Sequence, residues 1–541
     1  MIDLPARVVG KWRFGRAQRH LLRDFTHVMQ AGPPARAATG PVIGFATFGS
    51  GGWHFVIEAL LAHALAARGA RPALLLCDLP DLPICDERTV HSRRRERCDG
   101  CLHDKRALVA ASGLPWRGLS SLTDASTLAR ARTTVASLAD HELAAYRERG
   151  WPVGQWLHVS ACHYLRCDAS GDAPEKVDTR RRLLITAIVA VAAVERWLDE
   201  TRPEIVIVES GAHLVWRVAF ELARGRGLSV VCREMGKGGW DRHLYALNAD
   251  SMAPDLTEAW ARARTQALSP DEDLAVEQFL QQLPQRTYRQ QTAVTRATPE
   301  DLRAKFGIAA GARVAAAFTN VTWDLATAGR DVGFPGVRDW LITTIRTFRA
   351  HPSGHLIVRA HPAEASVLTR ERILDQLAAE WPEGLPGVTF VPPEDTTAAR
   401  DLCQVASLVL AYNSSVAIEA AADGHPVVVA GRPHYRGKGF TIDVSSQEEY
   451  RARLAQWADG ATVAPPPDGA ALARRYAHLF FLRYHVPMGW TTSPLEPPYR
   501  LRITSRDELE PGRNAALDAV CDGILAQRQI VLPGRAAGKS S

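Results

Sequence analysis

Leu408-Val-Leu-Ala-Tyr-Asn-Ser-Ser-Val-Ala-Ile-Glu-Ala-Ala-Ala-Asp-Gly-His-Pro-Val-Val-Val-Ala-Gly431 is the stretch that decides the fold. A short apolar run, strand-like in length, leads into Asn413-Ser414-Ser415, residue types that cap helices. The alanine-rich helix that follows stops at Gly424, and Pro426 opens a second apolar strand. Strand, turn, helix and strand in so short a span make a βαβ unit, and such units build parallel sheets covered by helices. A helix start presents free backbone N–H groups and the positive end of the helix dipole, which suits an anion. Ser414 and Ser415 add hydroxyls there, and Glu419, one turn deeper on the face of Ser415, suits ribose hydroxyls. Taken alone, the serines are equally well plain caps and Glu419 a surface residue.

Working outward, His355-Leu-Ile-Val-Arg359-Ala-His361-Pro362-Ala-Glu364 places an arginine, a histidine and a glutamate at the carboxyl end of a strand. Open α/β sheets bind ligands at that end. Pro362 restricts His361 to extended backbone, which fixes the direction of its imidazole. There a protonated ring would stabilise a departing phosphate. On the other side, Gly431-Arg-Pro-His434-Tyr435-Arg436-Gly-Lys438-Gly-Phe-Thr441 sets cations between glycines that let a backbone approach a ligand. The strand Arg313–Phe318 ends in Thr-Asn320-Val-Thr-Trp323-Asp324 and is expected to face the same ligand.

These motifs together resemble the bacterial capsule polysaccharide biosynthesis family, which includes β-Kdo transferases, Kdo being 3-deoxy-manno-octulosonate. The resemblance rests on Thr319–Asp324, Arg359–Glu364, Tyr412–Ser415 through Glu419, and His434–Thr441. It is close over residues 310–450 and loose over 41–240. It implies a GT-B fold, two Rossmann-like domains facing a cleft, with no catalytic metal. It also implies a nucleotide-sugar donor, a CMP-sugar such as CMP-Kdo being the leading expectation, and a glycan or glycolipid acceptor. On this analogy His361 lies at the leaving phosphate, Ser414 and Ser415 hold that phosphate, and Glu419 takes the ribose. Asn320, Trp323, Arg359, His434, Arg436 and Lys438 complete the expected donor site. A polyol-phosphate transferase of the CDP-glycerol type and a non-catalytic component of a glycan-assembly complex are the alternatives.

The first half repeats the α/β pattern. Val42-Ile-Gly-Phe-Ala46, a glycine-rich loop at Gly49–Trp53, a helix over Phe55–Arg68 and a strand at Pro72–Leu76 form one unit. The strands Glu204–Glu209 and Leu228–Arg233 follow, after a long helix over Thr179–Glu200. An inverting transfer needs a base for the acceptor proton. Glu209 and Glu234, each ending a strand beside glycine, are the leading candidates; His54 is placed on the acceptor side, and Asp78 is a further candidate. Either glutamate can instead cap a helix.

Cys77, Cys85, Cys98 and Cys101 form C-x7-C-x12-C-x2-C beside a run of arginines, Arg93-Arg94-Arg95 and Arg97. A C-x-x-C pair with two further thiols fits a structural zinc site or an iron–sulfur ligand set. Scattered reduced cysteines are the competing reading, and Cys162, Cys167, His91 and His103 are substitute ligands.

The expected domains are a basic N-terminal extension (1–40), an N-terminal Rossmann-like acceptor domain (41–268) and a linker (269–300). A nucleotide-sugar-binding domain (301–465) and a C-terminal helical extension (466–541) complete the chain. The formal charge of +6, from 65 Lys+Arg against 59 Asp+Glu, is too small to indicate nucleic acid. The apolar run Leu183–Val194 is shorter than the roughly 20 residues of a membrane span. No signal-peptide core interrupts the charged N-terminus. The expectation is a cytoplasmic enzyme, with peripheral contact at the membrane through the basic extension. The GT-A, P-loop and dinucleotide fingerprints are missing: Asp271-Glu-Asp273 follows Ser269-Pro270 and reads as a helix start.

Overall fold

A computed structural model describes residues 19–32, 38–48, 52–85, 90, 94–239, 241–283, 296–327, 329–351, 354–366, 369–491 and 500–534. Gly49–Gly51, His91, Arg93 and the tail residues Arg7, Lys11, Arg13 and Arg16 lie outside the described residues, as do the side chains of Arg94, Arg95 and Arg97.

The chain divides into two compact units. The first gathers the chain up to Tyr164, Ser170–Asp255 and Tyr484–Gly534; the second gathers Leu165–Ala169 and Leu256–Arg483. Several bounds therefore differ from the sequence expectation: residues 165–169 and 256–268, expected in the first domain, belong to the second unit, and two terminal segments join the first. Helical residues 19–30 bury Leu21, Phe25, Val28 and Met29 in the first unit's core. The final segment is split, with Tyr484 onward returning to the first unit, where Met488, Trp490, Leu517, Val520 and Ile524 join the same core. A large apolar face on the helix Trp53–Ala67 requires that cover: eleven of its fifteen residues are buried.

The first unit is built on a seven-stranded sheet. Its strands are β1 (Val42–Thr47), β2 (Arg71–Leu76), β3 (Trp116–Gly118), β4 (Ile205–Glu209), β5 (Ser229–Met235) and β6 (Arg242–Leu247), with β13 (Val486–Pro487) at the edge. Their order is β13-β6-β5-β4-β1-β2-β3. The run from β5 to β3 is parallel, with Ile43 opposite Ile205 and Phe45 opposite Leu74, whereas β6 pairs antiparallel to β5 and to β13. The parallel strands are almost wholly apolar because helices cover both faces. Gly44 in β1 is required by packing, since a Cβ there would lie 2.6 Å from the ring of Trp197 on the long helix Pro174–Thr201.

The second unit carries β7 (Arg313–Phe318), β8 (Gly354–Arg359), β9 (Val388–Val391), β10 (Leu408–Ala411), β11 (Val427–Val429) and β12 (Ile442–Asp443). Their order is β12-β11-β10-β7-β8-β9, parallel throughout. The helix Pro270–Gln282 begins at Ser269, whose hydroxyl accepts from the Glu272 N–H while the Glu272 carboxylate accepts from the Ser269 N–H. That capping box accounts for the acidic triplet as a helix start.

In both units the chain lays strands outward on one side of the first strand, then crosses to the other. The reversal falls between β1 and β4 in the first unit and between β7 and β10 in the second. Such switch points open a crevice at the carboxyl ends of the strands, the usual ligand position in this class of sheet. Each unit is thus Rossmann-like, and two such units in one chain is the composition of the GT-B class.

Candidate active site

At the switch point of the second unit, two hydrogen bonds knit three strand ends. The His361 N–H donates to Thr319 Oγ1 at 3.0 Å, joining the ends of β8 and β7. The Asn413 N–H donates to Asn320 Oδ1 at 3.1 Å, joining β10 and β7. Asn413 also donates from its side chain to the Ala326 carbonyl at 3.1 Å. Gly431 makes room for it: a Cβ there would fall 2.4 Å from Asn413 Oδ1 and 2.8 Å from the Tyr412 carbonyl. His361, Asn320, Ser414 and Ser415 therefore stand along one edge of the sheet.

The imidazole of His361 has a defined tautomer. Its Nδ1 accepts from the Ala363 N–H at 3.1 Å, which the turn at Pro362 makes available. An accepting Nδ1 leaves the ring proton on Nε2, so the ring offers a donor away from the turn. The ring is half-buried rather than sealed in the core. Ser414 is held from behind, where the Tyr435 hydroxyl donates to the Ser414 carbonyl at 2.7 Å. Ser415 takes the cap position of the helix Val416–Ala422, and its hydroxyl makes no cap bond to that helix. This turn of chain is fastened by the Ser414 carbonyl and by the Ser414 hydroxyl, which accepts from the Val416 N–H at 3.4 Å. Glu419 is 5% exposed and lies near Cys403, so it is not the surface residue of the plainer reading.

Other expected donor-site residues are engaged by the protein. Arg359 is buried, donating through Nη1 to the Pro392 carbonyl and through Nη2 to the Asp395 carbonyl at 2.7 Å. It fastens the loop after β9 instead of pointing at a ligand. His434 stacks on Phe480 with centroids 3.9 Å apart, and its Nδ1 lies 2.8 Å from the Tyr476 hydroxyl. Arg436 donates to the carbonyls of Gly431 and Val444, at 3.1 and 2.9 Å. His434 and Arg436 shape the loop Gly431–Thr441 from within. Lys438 is half-buried in the same loop. Trp323 donates from Nε1 to Thr369 Oγ1 at 3.1 Å and lies under the guanidinium of Arg166, 4.3 Å from its ring centre.

The switch point of the first unit holds a second constellation. His54 opens the helix after β1 and Glu209 ends β4, so adjacent strands bring them together. His54 Nδ1 lies 2.7 Å from Glu209 Oε1. At that distance the Nδ1 proton faces the carboxylate, with Arg233 Nη2 3.4 Å from the same nitrogen. Behind them Arg233, 1% exposed on β5, lies 3.3 Å from Glu58 Oε1 and 3.8 Å from Glu209 Oε2. Burial works to raise the Glu209 pKa, but His54 and Arg233 outweigh it and hold the carboxyl down to about 2. Glu234, on the same strand as Arg233, goes the other way: burial and the neighbouring Glu209 charge raise it. Burial likewise raises Glu58 against the pull of Arg233, and buried His243 is kept neutral.

Arg233 and Glu58 were not anticipated. The signal was present, because an arginine in Val-Val-Cys-Arg-Glu and a glutamate in Val-Ile-Glu-Ala-Leu-Leu are charges within apolar runs. A buried charge needs a partner, so the two predict each other. Asp78, the further candidate base, instead receives the Ser120 N–H at 2.7 Å and the Ser120 hydroxyl at 2.5 Å.

The four cysteines of the first half also converge. Cys77, Cys85, Cys98 and Cys101 line one cavity of about 40 Å³ beside the carboxyl ends of β1 and β2.

With this geometry in place, residues 328–459 match the model of a family described as capsule polysaccharide biosynthesis protein. That segment runs from β8 through β12 and contains His361, Ser414, Ser415 and Glu419. No curated protein matches the chain. Among solved structures, the chain is similar to the KpsC β-Kdo 2,4 transferase of Thermosulfurimonas dismutans, at 15% identity and a TM-score of 0.34, over 60% of this chain and 87% of that one. The β-Kdo 2,7 transferase of the same protein gives 14% identity and 0.30, over 53% and 80%. The glycotransferase of kitacinnamycin gives 13% and 0.25, over 90% and 99%.

Proposed function

We propose that the chain is an inverting glycosyltransferase that moves a sugar from a nucleotide donor onto a surface or capsular glycan. The observation that carries this reading is the pair of strand-end sites, one per unit, with complementary chemistry. The second unit offers a histidine N–H donor and two serines suited to a phosphate. The first unit offers an imidazole oriented by a carboxylate, a pairing suited to taking up a proton.

In this reading the acceptor hydroxyl gives its proton to His54 Nε2 as its oxygen bonds to the anomeric carbon. Glu209 stays ionised, holds the ring in the accepting tautomer and stabilises the imidazolium. The bond to the nucleotide phosphate breaks at the same carbon, and the charge gathering on the leaving oxygen is met by His361 Nε2–H and the hydroxyls of Ser414 and Ser415. The base role expected for Glu209 thus passes to His54, with Glu209 as its positioning partner. Glu234 is a less direct candidate, since its carboxylate accepts from the Met235 N–H at 2.9 Å.

The family match over residues 328–459 supports a capsule role, and the resemblance to β-Kdo transferases makes a CMP-sugar the donor of choice. The reaction is assigned to the cytoplasmic face of the membrane, with a glycolipid-borne acceptor. Among the described residues no helix is long and apolar enough to cross a membrane.

Nucleotide release from CMP-Kdo is the direct test, with His361→Ala beside the wild type. The reading requires release by the wild type and its loss in the variant; equal background rates would make the chain a non-catalytic partner. A thermal-shift series with CMP, UDP, GDP and CDP-glycerol ranks the donors, because a ligand that binds only the folded state raises Tm with its affinity. Stronger stabilisation by CDP-glycerol than by CMP would turn the assignment toward polyol-phosphate transfer.

A further inference from the structure

The nine cysteines fall into two groups. Cys162, Cys167, Cys232, Cys403 and Cys521 are buried, Cys162 beside His158 with its Sγ 3.5 Å from Nε2. Cys77, Cys85, Cys98 and Cys101 are only half-buried, and these four line the same cavity. They reach it from three places: the end of β2, the loop beyond it, and the helix Arg94–Ser112, which presents Cys98 and Cys101 three residues apart on one face. None is disulfide-bonded.

The rest of the lining is apolar, with Phe48, Leu82, Leu102, Leu119, Val215 and Trp216 among it. Among the described residues one charged side chain shares the wall. Lys105, one turn beyond Cys101, is 4% exposed and donates through Nζ to the Phe48 carbonyl at 2.6 Å and the Cys77 carbonyl at 3.4 Å. An ammonium in the wall favours a negatively charged occupant.

We propose that this cavity binds a 4Fe–4S cluster through Cys77, Cys85, Cys98 and Cys101, with Lys105 offsetting the negative charge of the thiolate-ligated cluster. The sulfur spacing separates this from zinc. Four thiolates around one zinc at 2.3 Å stand about 3.8 Å from one another. No three of these four, all among the described residues, place their Sγ atoms within 4.8 Å of one another. A cluster ligated through four separate irons spreads its thiolates more widely and suits an apolar enclosure. The role is structural: the cluster pins the segment after β2 to the sheet edge, close to the strand end that precedes His54. It stands apart from the transfer reaction proposed above, and neither depends on the other.

The test is anaerobic purification of the full chain from cells able to assemble clusters, followed by iron, zinc and acid-labile sulfide analysis with absorption and electron paramagnetic spectra. The proposal requires about four irons and about four sulfides per chain, a broad absorption near the visible edge, and a paramagnetic signal on reduction. Cys98→Ser and Cys101→Ser should lose the iron, while Cys162→Ser and Cys521→Ser keep it. Zinc without sulfide, or wild-type chain free of both metals, would overturn it. So would iron retained in Cys98→Ser and Cys101→Ser. The metal and sulfide content of the wild-type chain decides the matter alone, even where a variant fails to fold.

Discussion

His54 Nδ1 lies 2.7 Å from Glu209 Oε1, a contact made across neighbouring strand ends by residues far apart in sequence. The carboxylate fixes the ring's tautomer, and Arg233 behind it keeps the carboxylate ionised. In Glu209→Gln the amide oxygen can still accept from Nδ1, but the charge that stabilises an imidazolium is gone. The expected result is a fall in kcat of about 10²–10⁴-fold, with donor KM unchanged. His54→Ala should fall as far, and the double variant little further. Steady-state kinetics of the three proteins check this.

The same pair predicts an acid limit to stability. Glu209 has a folded pKa of about 2 against an ordinary value of 4.5, so the folded state binds fewer protons than the unfolded one between those values. Its stabilisation is complete above 4.5 and is lost as pH falls toward 2. Glu209→Gln should therefore flatten the acid side of a denaturant midpoint plotted against pH.

Glu364 behaves in the opposite sense. It is 1% exposed, and burial pushes its pKa up to about 7 against the pull of the Ile373 N–H and Arg372. Here the folded state binds the extra proton, so stability is greatest below 4.5 and declines as pH rises through 7. Glu364→Gln, which keeps the shape and removes the charge, should stabilise the protein by about 2 kcal/mol at pH 8 and hardly at all at pH 4. Urea unfolding at the two pH values measures the difference.

Arg359 tests whether a cation at a strand end serves the ligand or the fold. Its guanidinium is spent on the Pro392 and Asp395 carbonyls. Arg359→Ala should cost about 2–4 kcal/mol of stability by leaving those groups without their donor. At a temperature where the variant is folded, nucleotide affinity should change far less than in Ser414→Ala. Calorimetric titration with CMP compares them.

Gly431 has no room for a side chain beside Asn413. Gly431→Ala should push Asn413 away from Asn320 and displace the serine turn. Nucleotide affinity should fall roughly tenfold or more, a loss of about 1.4 kcal/mol, with secondary structure by circular dichroism unchanged.

Much of this architecture was legible in the sequence because its signals are local. Leu408–Gly431 and His355–Glu364 announce strand, turn and helix within short windows, and the ligand edge follows from the direction of a parallel strand. Roles that depend on distant partners were not legible. Nothing near Arg359 indicates that the loop after β9 will claim it, and nothing near His434 shows Phe480 beneath its ring. The pairing of His54 with Glu209 likewise requires knowing that β1 and β4 are neighbours, which sequence order hides. The four cysteines were visible as a spacing, while the lysine among them became apparent only as a buried charge.

The return of Tyr484–Gly534 to the first unit bears on how the protein is made. During synthesis the second unit has its whole sheet outside the ribosome while the first still lacks the helix Ala515–Leu525 that covers Trp53–Ala67. The usual order of N-terminal domain first is then reversed. The early-made half keeps an oily flank uncovered until Tyr484–Gly534 has been made.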